Sequence, residues 1–128
     1  MGLVPKGLVS AYKCGHTIVL RIPFWAYYIF AFEDHVDPIL EPDRKALILV
    51  PRSGSGLLKL VRRKGEPNSA YVMIGKLLRA LGISPWNSGT KYFKACIRSF
   101  MGKDVLEVFL GEEVDRDGLY TEEAEEGK

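Results

Sequence analysis

Short stretches of alternating or continuous apolar residues dominate the chain: "HTIVLRI", "KALILV", "GLLKLVRR", "SAYVMI", "TKYFKACIRSF" and "VLEVFL". Their β-branched and aromatic content and two-residue period predict strands. The sequences between them carry the Gly, Pro, Asn and Asp that tight turns need. These are "KCGH" at 13–16, "EPDRK" at 41–45, "KGEPN" at 64–68 and "MGKD" at 101–104. Only two segments read as helix, Pro23 to Phe32 and Gly75 to Leu81. Pro23 suits a first helical position. Gly82 suits a C-terminal stop, where a left-handed backbone is often required.

Placed side by side, the elements recur in one order: hairpin, short helix, loop, hairpin. Residues 8–51 form a first repeat and residues 57–111 a second, with 52–56, containing "SGSG", as the linker. A unit of this size cannot bury its apolar face alone, so the two copies are expected to share one core. The expected fold is mainly β with two short helices, a β-rich α+β arrangement. Two swapped-hairpin-like repeats would form one pseudo-dimeric, β-barrel-like unit.

This order, with "GHTIVLRIP" and "LRALGIS", resembles the AbrB/SpoVT-type swapped-hairpin DNA-binding domain, present as two diverged tandem copies. Gly15, Ile22 and Pro23 match the first half of the family pattern in copy one. Leu81, Gly82 and Ile83 match its second half in copy two, where Ile74-Gly75 stands in place of Ile-Pro. In that family two chains interlock hairpins into one core and present basic residues from strands and turns to DNA. The resemblance implies that a single chain here supplies both halves.

Charge sharpens this expectation. The net charge of +2 conceals an acidic segment at 112–128, with eight acidic residues against two basic, behind a body of net +8. Within the body, residues 8–51 hold four basic and five acidic residues, whereas residues 52–111 hold eleven basic and three acidic. The second repeat therefore has the field that attracts polyanions. In "KLVRRKG" strand alternation places Lys59, Val61 and Arg63 on one face and Leu60, Arg62 and Lys64 on the other. Arg62 and Arg63 are expected nearest the bases, since arginine can bond bidentately to guanine, and Lys64 and Lys76 nearest phosphates. Lys76 and Arg79 share a helix face. Lys59, Lys13 and Arg21 complete the candidate DNA-contacting set. The bland alternative is that these cations guard edge strands against aggregation.

The helix "FWAYYIFAF" offers a second candidate surface. A helix apolar all round is expected to be buried; if part is exposed, Phe24, Trp25, Tyr28 and Phe32 would form a patch for a partner protein or a homodimer. The leading expectation is a DNA-binding transcriptional regulator contacting duplex DNA through the second repeat. The alternative is a protein-interaction or oligomerisation module without nucleic-acid binding.

Other classes find little support. Cys14, Cys96, His16 and His35 have no partners at metal-ligand spacing, so neither a metal nor a disulfide is expected. The acids and histidine of "FEDHVD" (Glu33, Asp34, His35, Asp37) read as a solvated loop rather than a catalytic cluster. No cofactor motif is present, and no enzymatic activity is expected. The longest apolar run, "IPFWAYYIFAF", is too short for a membrane span, and the N-terminus does not read as a signal peptide, which points to a cytoplasmic protein. The acidic segment is expected to be disordered from residue 112; whether it only solubilises or competes for the basic face stays open.

Overall fold

A computed structural model describes residues 6–114. It contains strands β1 (Leu8–Cys14), β2 (Thr17–Ile22), β3 (His35–Glu41), β4 (Ala46–Arg52), β5 (Leu58–Lys59), β6 (Ala70–Met73), β7 (Thr90–Phe100) and β8 (Lys103–Val114). Helix α1 (Phe24–Tyr27) runs into a 3-10 turn at Tyr28–Phe30, and helix α2 spans Gly75–Ala80. The strands form one antiparallel sheet in the order β5-β3-β4-β8-β7-β1-β2-β6. Its two edges meet where Val61 and Tyr71 exchange main-chain hydrogen bonds of 2.9 and 2.8 Å, giving a nearly closed barrel.

The two halves interleave. Hairpin β1–β2 lies between β7 and β6, and hairpin β3–β4 lies between β8 and β5. Each hairpin of the first half is thus flanked only by strands of the second. Exchanging β1 with β5, β2 with β6, β3 with β7 and β4 with β8 returns the same cyclic order. Register follows this pseudo-twofold symmetry: the offset taking Ile22 to Ile74 converts the pair Val19↔Met73 into Arg21↔Tyr71 and maps Leu20↔Val72 onto itself. It likewise converts Ile22↔Ala70 into the observed contact of Ile74 N–H with the Ile18 carbonyl, 2.8 Å. The fold class expected from the sequence is the one observed.

Inward-facing residues of both halves build one core, including Leu20, Ile22, Leu47, Leu49, Val72, Leu78, Leu106 and Val108. The predicted stop of α2 is a Schellman closure. Gly82, at φ +77°, donates to Arg79, and Ile83 N–H donates 2.9 Å to Leu78.

Four local expectations are corrected. The first helix does not reach Pro23 to Phe32; Pro23 is its N-cap and the turn tightens after Tyr27, because Phe30 plugs the core while Phe32 is 97% exposed. "GLLKLVRR" is not a continuous strand. β5 ends at Lys59, and Leu60 turns into the core. "RRKGEPN" is accordingly a wide connection rather than a tight hairpin tip, and strand alternation does not apply to Arg62, Arg63 and Lys64. Residues 112–114, expected in the acidic segment, continue β8 beyond a register shift at which β8 carries extra residues, 109–112, opposite the step from Phe93 to Ala95 in β7. Residues 115–128 lie outside the described residues.

The "SGSG" linker is tied down by the acidic stretch "FEDHVD", which is only in part the expected loop, since His35 and Asp37 lie in β3. Asp34 accepts from Gly54 N–H at 2.9 Å, Asp37 accepts from Leu57 N–H at 2.8 Å, and Ser53 donates to Glu33. A Cβ at Gly56 would lie 2.7 Å from that of His35, so only glycine allows this approach.

No helix among the described residues is long and apolar enough to cross a membrane.

Candidate functional site

Four basic side chains from both halves converge on a cleft of about 260 Å³. The β1–β2 turn contributes Lys13 and His16, helix α2 contributes Lys76 and Arg79, and Trp86 with Asn87 forms the far wall. Among the described residues no acidic side chain lines it. The sequence placed Lys13, Lys76 and Arg79 among its candidates, and the fold brings these three together. His16 and Trp86 were not in that set; nothing in their neighbourhoods signals that a turn and a loop so far apart in sequence face one another.

The local sequence explains the geometry. Gly15, at φ +62°, closes the turn that carries Lys13 and His16. Gly75 lets the start of α2 approach that turn, because a Cβ there would lie 2.7 Å from Thr17 Oγ1. Lys76 and Arg79, three apart, then face the same side. The Trp86 indole is fixed by its N–H donating 3.0 Å to the Gly89 carbonyl, and Lys91 Nζ lies 5.0 Å from the ring centroid.

Pseudo-symmetry supplies an internal control. The offset of 52 that takes Val19 to Tyr71 also takes Tyr27 to Arg79; in the preceding strand, where Tyr12 opposite Val19 matches Val61 opposite Tyr71, the offset is 49, so Lys13 corresponds to Arg62. In the first half that location is filled. Arg62 lies over the Tyr27 ring at 5.5 Å and donates to Tyr27 Oη at 2.8 Å, to the Phe30 carbonyl at 2.7 Å and to the Glu33 carbonyl at 2.8 Å. It closes the end of the first helical segment, whose final carbonyls have no helical donors. In the second half the equivalent pair is Lys13 and Arg79, two cations beside an open cleft. Like charges gathered without a counter-charge oppose folding unless an anion joins them.

Arg63 is also turned onto the protein. Its guanidinium sits 3.9 Å from the Tyr71 ring centroid and donates 2.5 Å to Tyr12 Oη, bracing the barrel seam. Tyr71 donates to Glu66; this bond holds the Glu66 carboxyl below the usual range, and burial, then the same bond, pushes the Tyr71 hydroxyl up. Neither arginine projects freely as the sequence suggested. Lys59 and Lys64 are exposed, and Arg21 pairs across the sheet with Tyr71.

On the outer sheet face, Glu107 is a buried carboxylate neutralised by Arg44 and by Arg98, whose Nε lies 2.9 Å away. The aromatic patch is mixed. Trp25 donates 2.8 Å to the Leu8 carbonyl, whereas Phe24, Tyr28 and Phe32 are largely exposed, with a cavity of about 450 Å³ beside Trp25 and Tyr28. Cys14 and Cys96 are free thiols. Among the described residues no three His, Cys, Asp or Glu side chains gather as a metal site.

No protein-family model matches this chain, and no match was found among curated proteins or solved structures.

Proposed function

We propose that the chain is a transcriptional regulator that binds duplex DNA through the basic cleft and the cationic surface around it. The observation that carries this reading is the convergence of Lys13, His16, Lys76 and Arg79 without an acid, where the other half holds a satisfied cation–aromatic pair. Lys13, Lys76 and Arg79 take phosphates, and the exposed Lys59 and Lys64 add to the long-range field. Arg62 and Arg63 support the scaffold. The interleaved hairpins are in keeping with descent from a swapped-hairpin domain of AbrB/SpoVT type, in which a tandem chain does the work of two subunits.

The test is fluorescence anisotropy with a labelled random duplex across a salt series. Binding should weaken steeply with salt. Lys76→Ala and Lys13→Ala should each lower the log–log slope by about 1, the release of roughly one counterion. Absence of binding at low salt, or binding indifferent to salt, overturns the proposal.

One observation favours a second reading: the 97% exposure of Phe32 beside Phe24 and Tyr28 suits a protein or second-copy interface. Light scattering at several concentrations separates the two. A concentration-independent monomer that binds DNA supports the first, and a DNA-inert oligomer the second.

A further inference from the structure

We infer that the resident occupant of the basic cleft, in the absence of nucleic acid, is the chain's own acidic segment, residues 115–128. The inference rests on reading the cleft as a polyanion site. Three observations carry it.

The first is direction. β8 ends at Val114, opposite Tyr92, and runs antiparallel to β7. Its heading is therefore toward Thr90 and the Pro85–Asn87 stretch, whose residues form one wall of the cleft. The second is anchoring. Glu113 pairs with Lys91 at 3.6 Å, and Lys91 in turn lies over Trp86, so Glu113, near the end of the described residues, stands one side chain away from the cleft wall. The third is charge. Residues 115–128 hold Asp115, Asp117, Glu122, Glu123, Glu125 and Glu126 against Arg116 and Lys128, a net of −4, beside a cleft lined by four basic groups and no acid. Glu122–Glu126 lie 8 to 12 residues beyond Val114, so an extended connection reaches up to about 26–40 Å from that residue.

Tethering makes even weak attraction effective. A short flexible connection gives an effective concentration in the millimolar range. Set against an affinity of about 0.1 mM, typical of nonspecific polyanion contacts, that predicts about tenfold competition with DNA. Because both interactions are electrostatic, the competition fades as salt rises.

The experiment uses the full chain and a full-length variant with Glu122→Gln, Glu123→Gln, Glu125→Gln and Glu126→Gln. Zero-length carbodiimide cross-linking with mass spectrometry reads contact between carboxylates and lysines directly. The expected result is cross-links from Glu122–Glu126 to Lys13 or Lys76, with Lys59 and Lys64, exposed lysines outside the cleft lining, as controls. In the anisotropy assay the neutralised variant should bind duplex about tenfold more tightly at low salt. Absent cross-links, or cross-links spread evenly over Lys59 and Lys64, overturn the inference whatever the DNA affinity. Cleft cross-links without DNA binding by either protein uphold it while removing the DNA reading.

Discussion

Replacing Arg62 by alanine separates scaffold from DNA contact. The side chain makes short hydrogen bonds to the main-chain carbonyls of Phe30 and Glu33 and a 3.5 Å one to that of Ala31, and lies over Tyr27. Bonds from a charged donor contribute more than neutral ones, but Arg62 is exposed, so about 1 kcal/mol for each carbonyl bond is the appropriate scale. The cation–π contact adds about 0.5 kcal/mol at an exposed site. Loss of about 2.5 kcal/mol follows from the two short carbonyl bonds and the ring contact, and with a urea dependence of about 2 kcal/mol/M it lowers the unfolding midpoint by about 1.2 M. Arg62→Lys should recover little, since an ammonium cannot span the same carbonyls with a planar fork. DNA affinity, measured where the variant remains folded, should change much less than for Lys76→Ala. An unchanged urea midpoint together with a binding loss equal to that of Lys76→Ala would refute this reasoning and return Arg62 to the DNA-contacting set.

The glycine at the cleft floor gives a sharper geometric check. Gly75→Ala drives a methyl group against Thr17 Oγ1 and should destabilise by about 1–3 kcal/mol in urea unfolding; adding Thr17→Ala should restore most of it, and no rescue would count against the described approach. Removing Arg44 and Arg98 together strands the Glu107 carboxylate and should cost about 3–5 kcal/mol, whereas Glu107→Leu, which removes the buried charge itself, should stay within about 1 kcal/mol of the parent; the reverse order in denaturation would sink the argument. Asp34, Glu41 and Glu66 have lowered carboxyl pKa values, caused first by hydrogen bonds from His35, Arg44 and Tyr71 respectively. Their folded pKa values lie below the unfolded ones, so their contribution is present above the ordinary carboxylate range and disappears as pH falls through the folded values. The thermal midpoint should hold above about pH 5 and drop below about pH 4, less steeply in Tyr71→Phe; a flat profile down to pH 3 contradicts this.

Local signals were readable where neighbours in sequence are neighbours in space. "TKYFKACIRSF" is β7 from end to end, and "LRALGI" encodes its own helix stop because the Schellman bonds connect residues within one turn. The repeated order of elements also carried the topology, since a half too small for its own core must share one. What the sequence hid is set by distant partners. Arg62 sits in an alternating run, yet the exposed carbonyls of the first helical segment draw it out of strand register. β8 extends through "GEEV", a polar stretch with no strand pattern of its own, because β7 offers Tyr92 and Phe93 as partners past the extra residues of β8. The cleft was legible as separate cations, but not as a site, because its parts meet through the β2–β6 and β1–β7 pairings, between strands far apart in sequence.

The interleaving of hairpins also dictates when the protein can exist during its own synthesis. β1–β2 and β3–β4 each wait for both flanking strands, and those flanks are β5 to β8. A ribosome that has released the first half has released two hairpins with four unpaired edges and half a core. Such edges invite pairing with any other strand, including the same segment of a neighbouring nascent chain. The tandem arrangement therefore replaces the search for a partner subunit with a wait for the remainder of the same chain, and the risk of mispairing ends only when β8 slots between β4 and β7.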